Sequence, residues 1–353
     1  MENKKFISII WGYSTHMYTF APEENYHLHA LKVAKDLGFK THVIVKGNKE
    51  NIMRDPHFDT DTEVIDYKNN FQFFFHIIKF SFQNSLFYVN SCEWQSFIIP
   101  FLARKTIFMA HTQPKRQTRL KQKIQNFVYN FFTAVRLNNE KEKEFLLQQG
   151  IPEKKLFVIP LVVSRDVFKL TDTHSERKDL VYFGNVTAVK NPITIIEAFK
   201  IVIEKYPEIK LHIIGEIFEK EFLDKIHQYK ISDNVILHGY KKQDDSLSQL
   251  LNTMKISLNS SISEGQCVAI YDTALCGCVL CLPNIMSFTG VFKESALFHD
   301  VMDYKKMAQN IIYYLENPAL VKKHQAENIE MIQKNYSLET VESNLKKLIL
   351  KAK

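Results

Sequence analysis

Residues 263–281 read SEGQCVAIYDTALCGCVLC. The stretch holds four of the chain's five cysteines and two carboxylates, Glu264 and Asp272, eight positions apart. Such residue types serve metal ligation, thiol redox chemistry or hydrogen bonding to a polar ligand. Cys276, Cys278 and Cys281 are spaced C-x-C-x-x-C, whereas structural zinc usually takes paired C-x₂₋₄-C units and a fourth ligand. No obvious fourth ligand accompanies them, so no metal site is expected. Buried cysteine behaves as a small apolar side chain, and core packing is the expected role. Eight residues of helix span about 12 Å, beyond the roughly 5–9.5 Å of a hydrolytic carboxylate pair. Glu264 and Asp272 therefore suit two contacts with one long, hydroxyl-rich ligand. On spacing alone, Asp272 as an ordinary exposed helix residue is an equal alternative. Gly265 permits a tight turn. The backbone N–H groups of Gly265, Gln266 and Cys267 are expected to open a helix, where unpaired donors and the helix dipole favour phosphate.

The elements that must hold these residues alternate in kind. β-Branched and aromatic runs at 6–11, 41–47, 85–90 and 105–111 read as strands. Between them, 26–39 shows Leu28, Leu31, Ala34 and Leu37 at helical spacing, with Gly38 as a stop, and 71–80 reads as an aromatic-rich helix. The segment 157–163 is expected to link two halves. The pattern then restarts, with strands at 179–185, 209–216, 234–240, 255–261 and 279–285. Helices are expected at 191–207, 219–231, 246–254 and 267–277. This alternation predicts βαβ units with parallel sheets, in domains at 1–163 and 164–335. Residues 336–353 form a C-terminal amphipathic helix, expected to pack back on the first domain. Ligands of parallel sheets sit at the carboxyl ends of the strands. Candidate residues therefore follow strands: Gly12, His111, Gly184 to Lys190, Gly215, Tyr240, and Ser261 to Cys267.

The sequence has 353 residues, with 45% apolar and 24% charged residues, the composition of a globular protein. An odd number of cysteines and the lack of an export signal predict reduced thiols and a cytoplasmic location. The opening MENKKFISIIWG reads as a first strand rather than a secretory leader. No transmembrane helix is expected. A formal net charge of +7 favours anionic partners.

The region 263–281 resembles the E-x₇-E motif of the GT4 family of retaining glycosyltransferases, with Glu264 at the first acid and Asp272 at the second. ALCGCVLC resembles the small-residue segment that follows, which puts the cysteines at packing positions. LVYFGNVTAVKNPITIIEAF is similar to the family's strand–loop–helix with G-R-x₄-K, with Lys190 six residues after Gly184. KTIFMAHT resembles the strand ending in the family's histidine, here His111. The resemblance is strong in the C-terminal half and loose in the N-terminal half.

What the resemblance implies is a GT-B fold, two Rossmann-like α/β domains facing a central cleft, and transfer of a sugar from a nucleoside-diphosphate sugar. A UDP-sugar is favoured over a GDP-sugar, and no metal or other cofactor is required. Carried over, Lys190 neutralises the donor diphosphate, Glu264 accepts from donor sugar hydroxyls, and Asp272 accepts from the ribose. His111 lies near the sugar, unless it is simply a strand-end histidine bonded to backbone. Donor contacts are further expected from Gly12, Gly184, Asn185, Gly215, Tyr240, Gly265, Gln266 and Cys267. The acceptor is expected to be a glycan, a lipid-linked sugar or a protein, as in glycan biosynthesis. Two departures stand out. Asn185 replaces the family's arginine, and Asn25-Tyr26 stands where a glycine pair is expected. Asn185, with Asp272 at the second acid, favours the main alternative, a non-catalytic paralogue that partners an active transferase, and Lys190, Glu264 and His111 oppose it. An epimerase or phosphorylase of the same fold is a third.

Two further features bear on partners. Asp59-Thr60-Asp61 imitates a metal-binding DxD motif but follows a polar, turn-like stretch, so both acids are read as solvated loop residues. Residues 115–123 carry Lys115, Arg116, Arg119, Lys121 and Lys123 with no acid, and an aromatic run follows. The first expectation is a solvated segment with its aromatics in the core. The second is peripheral contact with anionic lipid at the inner face of a membrane. No nucleic-acid motif accompanies the patch, so nucleic acid is not expected.

Overall fold

The computed structural model describes residues 4–11, 13, 25–90, 93–110, 119–163, 166–171 and 177–353, except the side chains of Arg119, Lys121 and Gln122. The chain falls into two compact units, Met1–Val162 with Leu338–Lys353, and Val163–Ser337.

The first unit contains strands β1 (Lys5–Ile10), β2 (Lys40–Lys46), β3 (Glu63–Tyr67), β4 (Ser85–Val89), β5 (Thr106–Met109), β6 (Ala134–Leu137) and β7 (Leu156–Val158). Its helices are α1 (Tyr26–Asp36), α2 (Lys49–Arg54), α3 (Asn70–Ser81), α4 (Ile99–Leu102), α5 (Arg119–Tyr129) and α6 (Glu140–Gln148). The strands pair in the order β3-β2-β1-β4-β5-β6-β7, every pair parallel. Strands buried on both faces read as continuous apolar runs, as β1 and β4 do.

The second unit contains β8 (Asp179–Phe183), β9 (Leu211–Ile214), β10 (Val235–Gly239), β11 (Met254–Leu258), β12 (Val279–Pro283) and β13 (Leu297–His299). Around them lie α7 (Ile193–Lys205), α8 (Lys220–Gln228), α9 (Asp245–Asn252), α10 (Val268–Leu275), α11 (Met286–Thr289), α12 (Tyr304–Glu316) and α13 (Pro318–Asn335). The order is β10-β9-β8-β11-β12-β13, again parallel. This is the doubly wound arrangement, and it reverses between β8 and β11.

The last helix, α14 (Leu338–Ala352), belongs to the first unit. Its Val341, Leu345, Leu348 and Ile349 join the core under α1. Glu342 pairs with Lys32 of α1 at 2.9 Å.

Several elements depart from expectation. Residues 156–158 are the edge strand β7 rather than only a linker. Strand β6 has Arg136 at its middle, fully buried, donating to the carbonyls of Ile159 and Pro160 at 2.7 Å each and to Tyr88 Oη at 2.8 Å. A charge there masks the apolar run that would announce a strand.

Candidate donor site

Ligands of doubly wound sheets bind at the reversal of strand order, beyond the carboxyl ends of the strands. In the second unit those ends are Phe183 of β8 and Leu258 of β11. The loop after β8 carries Gly184, Asn185 and Lys190, and the loop after β11 carries Ser260, Ser261 and Glu264. The structure brings the two loops together.

Backbone bonds fix the approach. Ile262 N donates to Val189 O at 2.9 Å. Ser260 Oγ donates to the carbonyls of Lys190 and Asn191, at 2.9 and 2.8 Å. Asn191 takes a left-handed conformation, φ 49°, which turns the chain into α7. Its amide donates to Thr194 Oγ1 at 2.8 Å. Asparagine is among the few side chains that tolerate this region.

Lys190 Nζ forms a short ion pair with Glu264 Oε1. Ser261 Oγ donates to the same oxygen at 2.7 Å. Both charged side chains are mostly buried, Glu264 at 9% exposure. Burial alone lowers the lysine's pKa. The neighbouring Cys267 and Glu264, with the Glu264 hydrogen bond, raise it above the ordinary value overall. Burial pushes the Cys267 thiol up to about 12. It is therefore neutral at physiological pH, and Glu264 is the partner that matters there. Two partly buried charges within one hydrogen bond form a preorganised cation–carboxylate pair.

A second set of bonds shapes the loop after β8. Gly184 N donates to Ile214 O and Val186 N to Glu216 O, both at 2.8 Å, so the loop zips onto the end of β9. Gly215 has φ +140°, and a Cβ there would overlap the Gly184 carbonyl. Only glycine fits this contact. Asn185 Oδ1 accepts from Glu216 N at 3.1 Å, and Tyr182 Oη donates to Asn185 O at 2.9 Å. The residue standing in place of the expected arginine thus cross-links two strand ends. Tyr240 is half exposed and follows edge strand β10, whose Gly239 O accepts from Gly215 N at 2.8 Å.

The start of α10 differs from expectation. Cys267 has φ 39°, a left-handed conformation rare for residues other than glycine, so the helix begins at Val268. Its opening N–H groups belong to the residues from Cys267 onward, not to Gly265 and Gln266. Gln266 is buried and Gly265 half-buried in the turn. Asn259 Nδ2 donates to Cys267 Sγ at 3.6 Å. Asp272 is not an exposed helix residue. It is 1% exposed, on the buried side of α10.

Cys276, Cys278 and Cys281 are fully buried in the two cores of this unit. Burial raises all three thiols, Cys276 and Cys281 to about 12. The cysteine-rich stretch is thus packing, as its small-residue pattern suggests. Asp59 and Asp61 pair with Lys35 of α1, at 2.5 and 3.0 Å, in an exposed bend. Gly12, Cys92 and His111 lie outside the described residues. Asn25 caps α1, accepting from His27 N at 3.1 Å, and its amide donates to Tyr13 Oη at 2.7 Å. Tyr13 in turn bonds Asp55.

Sequence reasoning passed over Ser260, Asn191 and Asn259. The signal was present, since Asn259-Ser260-Ser261 directly follows an apolar strand, where short polar side chains close turns.

Residues 165–334 match the family of glycosyl transferases group 1. Among curated relatives, a poly(glycerol-phosphate) alpha-glucosyltransferase of Bacillus subtilis (strain 168) is 30% identical over 122 residues, covering 34% of this chain and 18% of that protein. A subunit of the phosphatidylinositol N-acetylglucosaminyltransferase of Arabidopsis thaliana is 24% identical over 147 residues, covering 41% of this chain and 33% of that one. The matches thus span a third or less of these relatives' length. Among solved structures, Anabaena Alr3699/HepE in complex with UDP and glucose superposes with TM-score 0.75 at 13% identity, over 98% of this chain and 99% of that one. The second unit is thus similar in sequence to the glycosyl transferases group 1 over residues 165–334, and the chain has the two-sheet α/β fold of the GT-B glycosyltransferases.

Proposed function

We propose that the protein is a retaining, metal-independent glycosyltransferase. It moves a sugar from a nucleoside-diphosphate sugar to a glycan, a lipid-linked sugar or a protein. The observation that carries this reading is the Lys190–Glu264 pair, on the two loops that flank the strand-order reversal of the unit matching group 1 glycosyltransferases. The HepE complex with UDP and glucose supports UDP as the nucleotide.

In such a transfer the bond between anomeric carbon and diphosphate oxygen breaks. Its electron pair leaves with the nucleoside diphosphate. The acceptor hydroxyl forms the new bond on the same face and passes its proton to the departing diphosphate oxygen. Negative charge grows on the departing diphosphate, and a preorganised cation offsets it. Lys190 takes this role, released from Glu264 by the stronger charge of the diphosphate. A hydrogen bond to a charged group contributes about 1.5–3 kcal/mol. Glu264, relieved of the lysine, accepts from sugar hydroxyls. Asp272 and the opening turn of α10 serve the nucleotide, and His111 and Gly12 complete the donor side.

One observation favours a second reading, a non-catalytic partner of an active transferase. Asn185 engages its side-chain oxygen with Glu216 N and supplies no cation where the family pattern has arginine. Nucleoside-diphosphate release from a panel of donor sugars separates the two. Release by the wild type that falls at least tenfold, or about 1.4 kcal/mol in barrier, in both Lys190→Ala and Glu264→Ala supports the enzyme. Release unchanged in both variants contradicts the site. No release by folded wild type with any donor favours the partner reading.

A further inference from the structure

Helix α3 leaves Phe71 and Phe75 exposed at 81% and 56%, with Ile78 beside them, and its C-cap Phe82 is exposed at 87%. Their spacing of four, three and four residues puts all four on one stripe of a helix. Leu120, Ile124 and Phe127 of α5, with Phe131 in the turn that follows it, repeat the same spacing and are likewise exposed. Phe101 of α4 extends the second stripe toward α3. Its ring lies 4.6 Å from that of Phe131, and α4 packs against α3. Phe82 and Leu102 line one groove with Arg104 and Lys105. The expectation that the aromatics after residue 123 are all core is thus corrected. Val128, Tyr129 and Phe132 are buried, while Phe127 and Phe131 face out.

The charges in the sequence that carries this platform are mostly of one sign. Between Asp66 and Glu140 the sequence holds a single acid, Glu93, against Lys68, Lys79, Arg104, Lys105 and the cations of 115–123. Lys79, Arg104 and Lys123 are exposed beside the apolar stripes. A large exposed apolar patch marks an interaction surface. Aromatic side chains ringed by lysine and arginine match the interfacial layer of a bilayer with anionic lipid. A second copy fits poorly, because a two-fold contact through this face would set cations against cations. No described helix is long and apolar enough to cross a membrane.

We propose that the α3–α4–α5 face of the first unit docks flat on an anionic lipid bilayer. Its phenylalanines enter the headgroup region and its cations meet the lipid phosphates. This contact is independent of the donor reading.

Sedimentation of the full chain with vesicles tests it. One set is phosphatidylcholine alone, the other contains about one-third phosphatidylglycerol, enough to give a negative surface potential. The wild type should partition at least tenfold more strongly to the anionic vesicles and release as salt shortens the Debye length. Phe71→Ser/Phe75→Ser/Phe127→Ser should abolish partitioning. Lys79→Glu/Lys123→Glu, confined to exposed side chains, gives the same loss should the aromatic variant misfold. Both folded variants should keep whatever nucleotide affinity the wild type has. Equal partitioning to neutral and anionic vesicles, or folded variants that bind like wild type, would overturn the proposal. So would a concentration-dependent dimer that the charge variant dissociates, which would make the face a contact between copies.

Discussion

The second unit's outer helices carry opposed charges. Lys225 of α8 meets Glu197 of α7 at 3.1 Å, and Lys205 of α7 meets Glu316 of α12. In the first unit, α3 and α5 present phenylalanines and cations instead. The two sheets share a strand order about their central strands, β1 with β4 and β8 with β11. Topology therefore decides where a site lies, while the residues on loops and outer faces decide what each unit touches. Among the described residues, the lysine–glutamate pair at a strand-order reversal belongs to the second unit. In the first, the described polar groups near the end of β1 satisfy one another through Tyr13, Asn25 and Asp55.

The strongest way to break the second unit is Gly215→Val. The new side chain meets the Gly184 carbonyl at a backbone angle that valine resists. The expected loss is about 3 kcal/mol or more, read as a lowered urea midpoint, with nucleotide binding lost alongside.

In the first unit, acid is the sharper probe. Burial, then the charge of Arg136, holds His29 down to about 4 despite Glu342. The unfolded chain takes up that proton below about pH 6.5 and the folded chain only near 4. Stability from this group is thus complete above pH 6.5 and is lost as pH falls toward 4, by about 2–3 kcal/mol. Chemical denaturation between pH 7 and 4 should show a shallower decline for His29→Gln than for wild type. Parallel declines would remove His29 as the cause.

Asn185→Ala has the smallest expected effect. Loss of the bond to Glu216 N should lower stability by about 1 kcal/mol. Calorimetry of the variant sharpens the comparison. Unchanged nucleotide affinity means the side chain only ties strand ends together, and a large loss means it also touches the ligand.

The sequence made the second unit legible because its strands are short, apolar and ended by glycine, as at Gly184, Gly215 and Gly239. Lys190 and Glu264 could be paired only through a resemblance, since their separation of 74 residues is closed by bonds from Ser260 and Ile262 that no periodicity shows. Strand β6 stayed hidden behind Arg136. Helices α12 and α13 mix charge with apolar residues and carry little strand-like contrast to their surroundings. From sequence, α3 reads only as an aromatic-rich helix, and the aromatics after residue 123 read first as core. Helical spacing shows that residues share a face but not whether anything covers it.

The central claim is that the Lys190 pair is a diphosphate site, and calorimetric titration with UDP, GDP, ADP and CDP tests it most directly. The account predicts that one nucleotide, UDP foremost, binds the wild type with micromolar affinity, and that Lys190→Ala weakens it at least tenfold, about 1.4 kcal/mol. Equal affinity in the folded variant, or no binding of any nucleotide to the wild type, would contradict it.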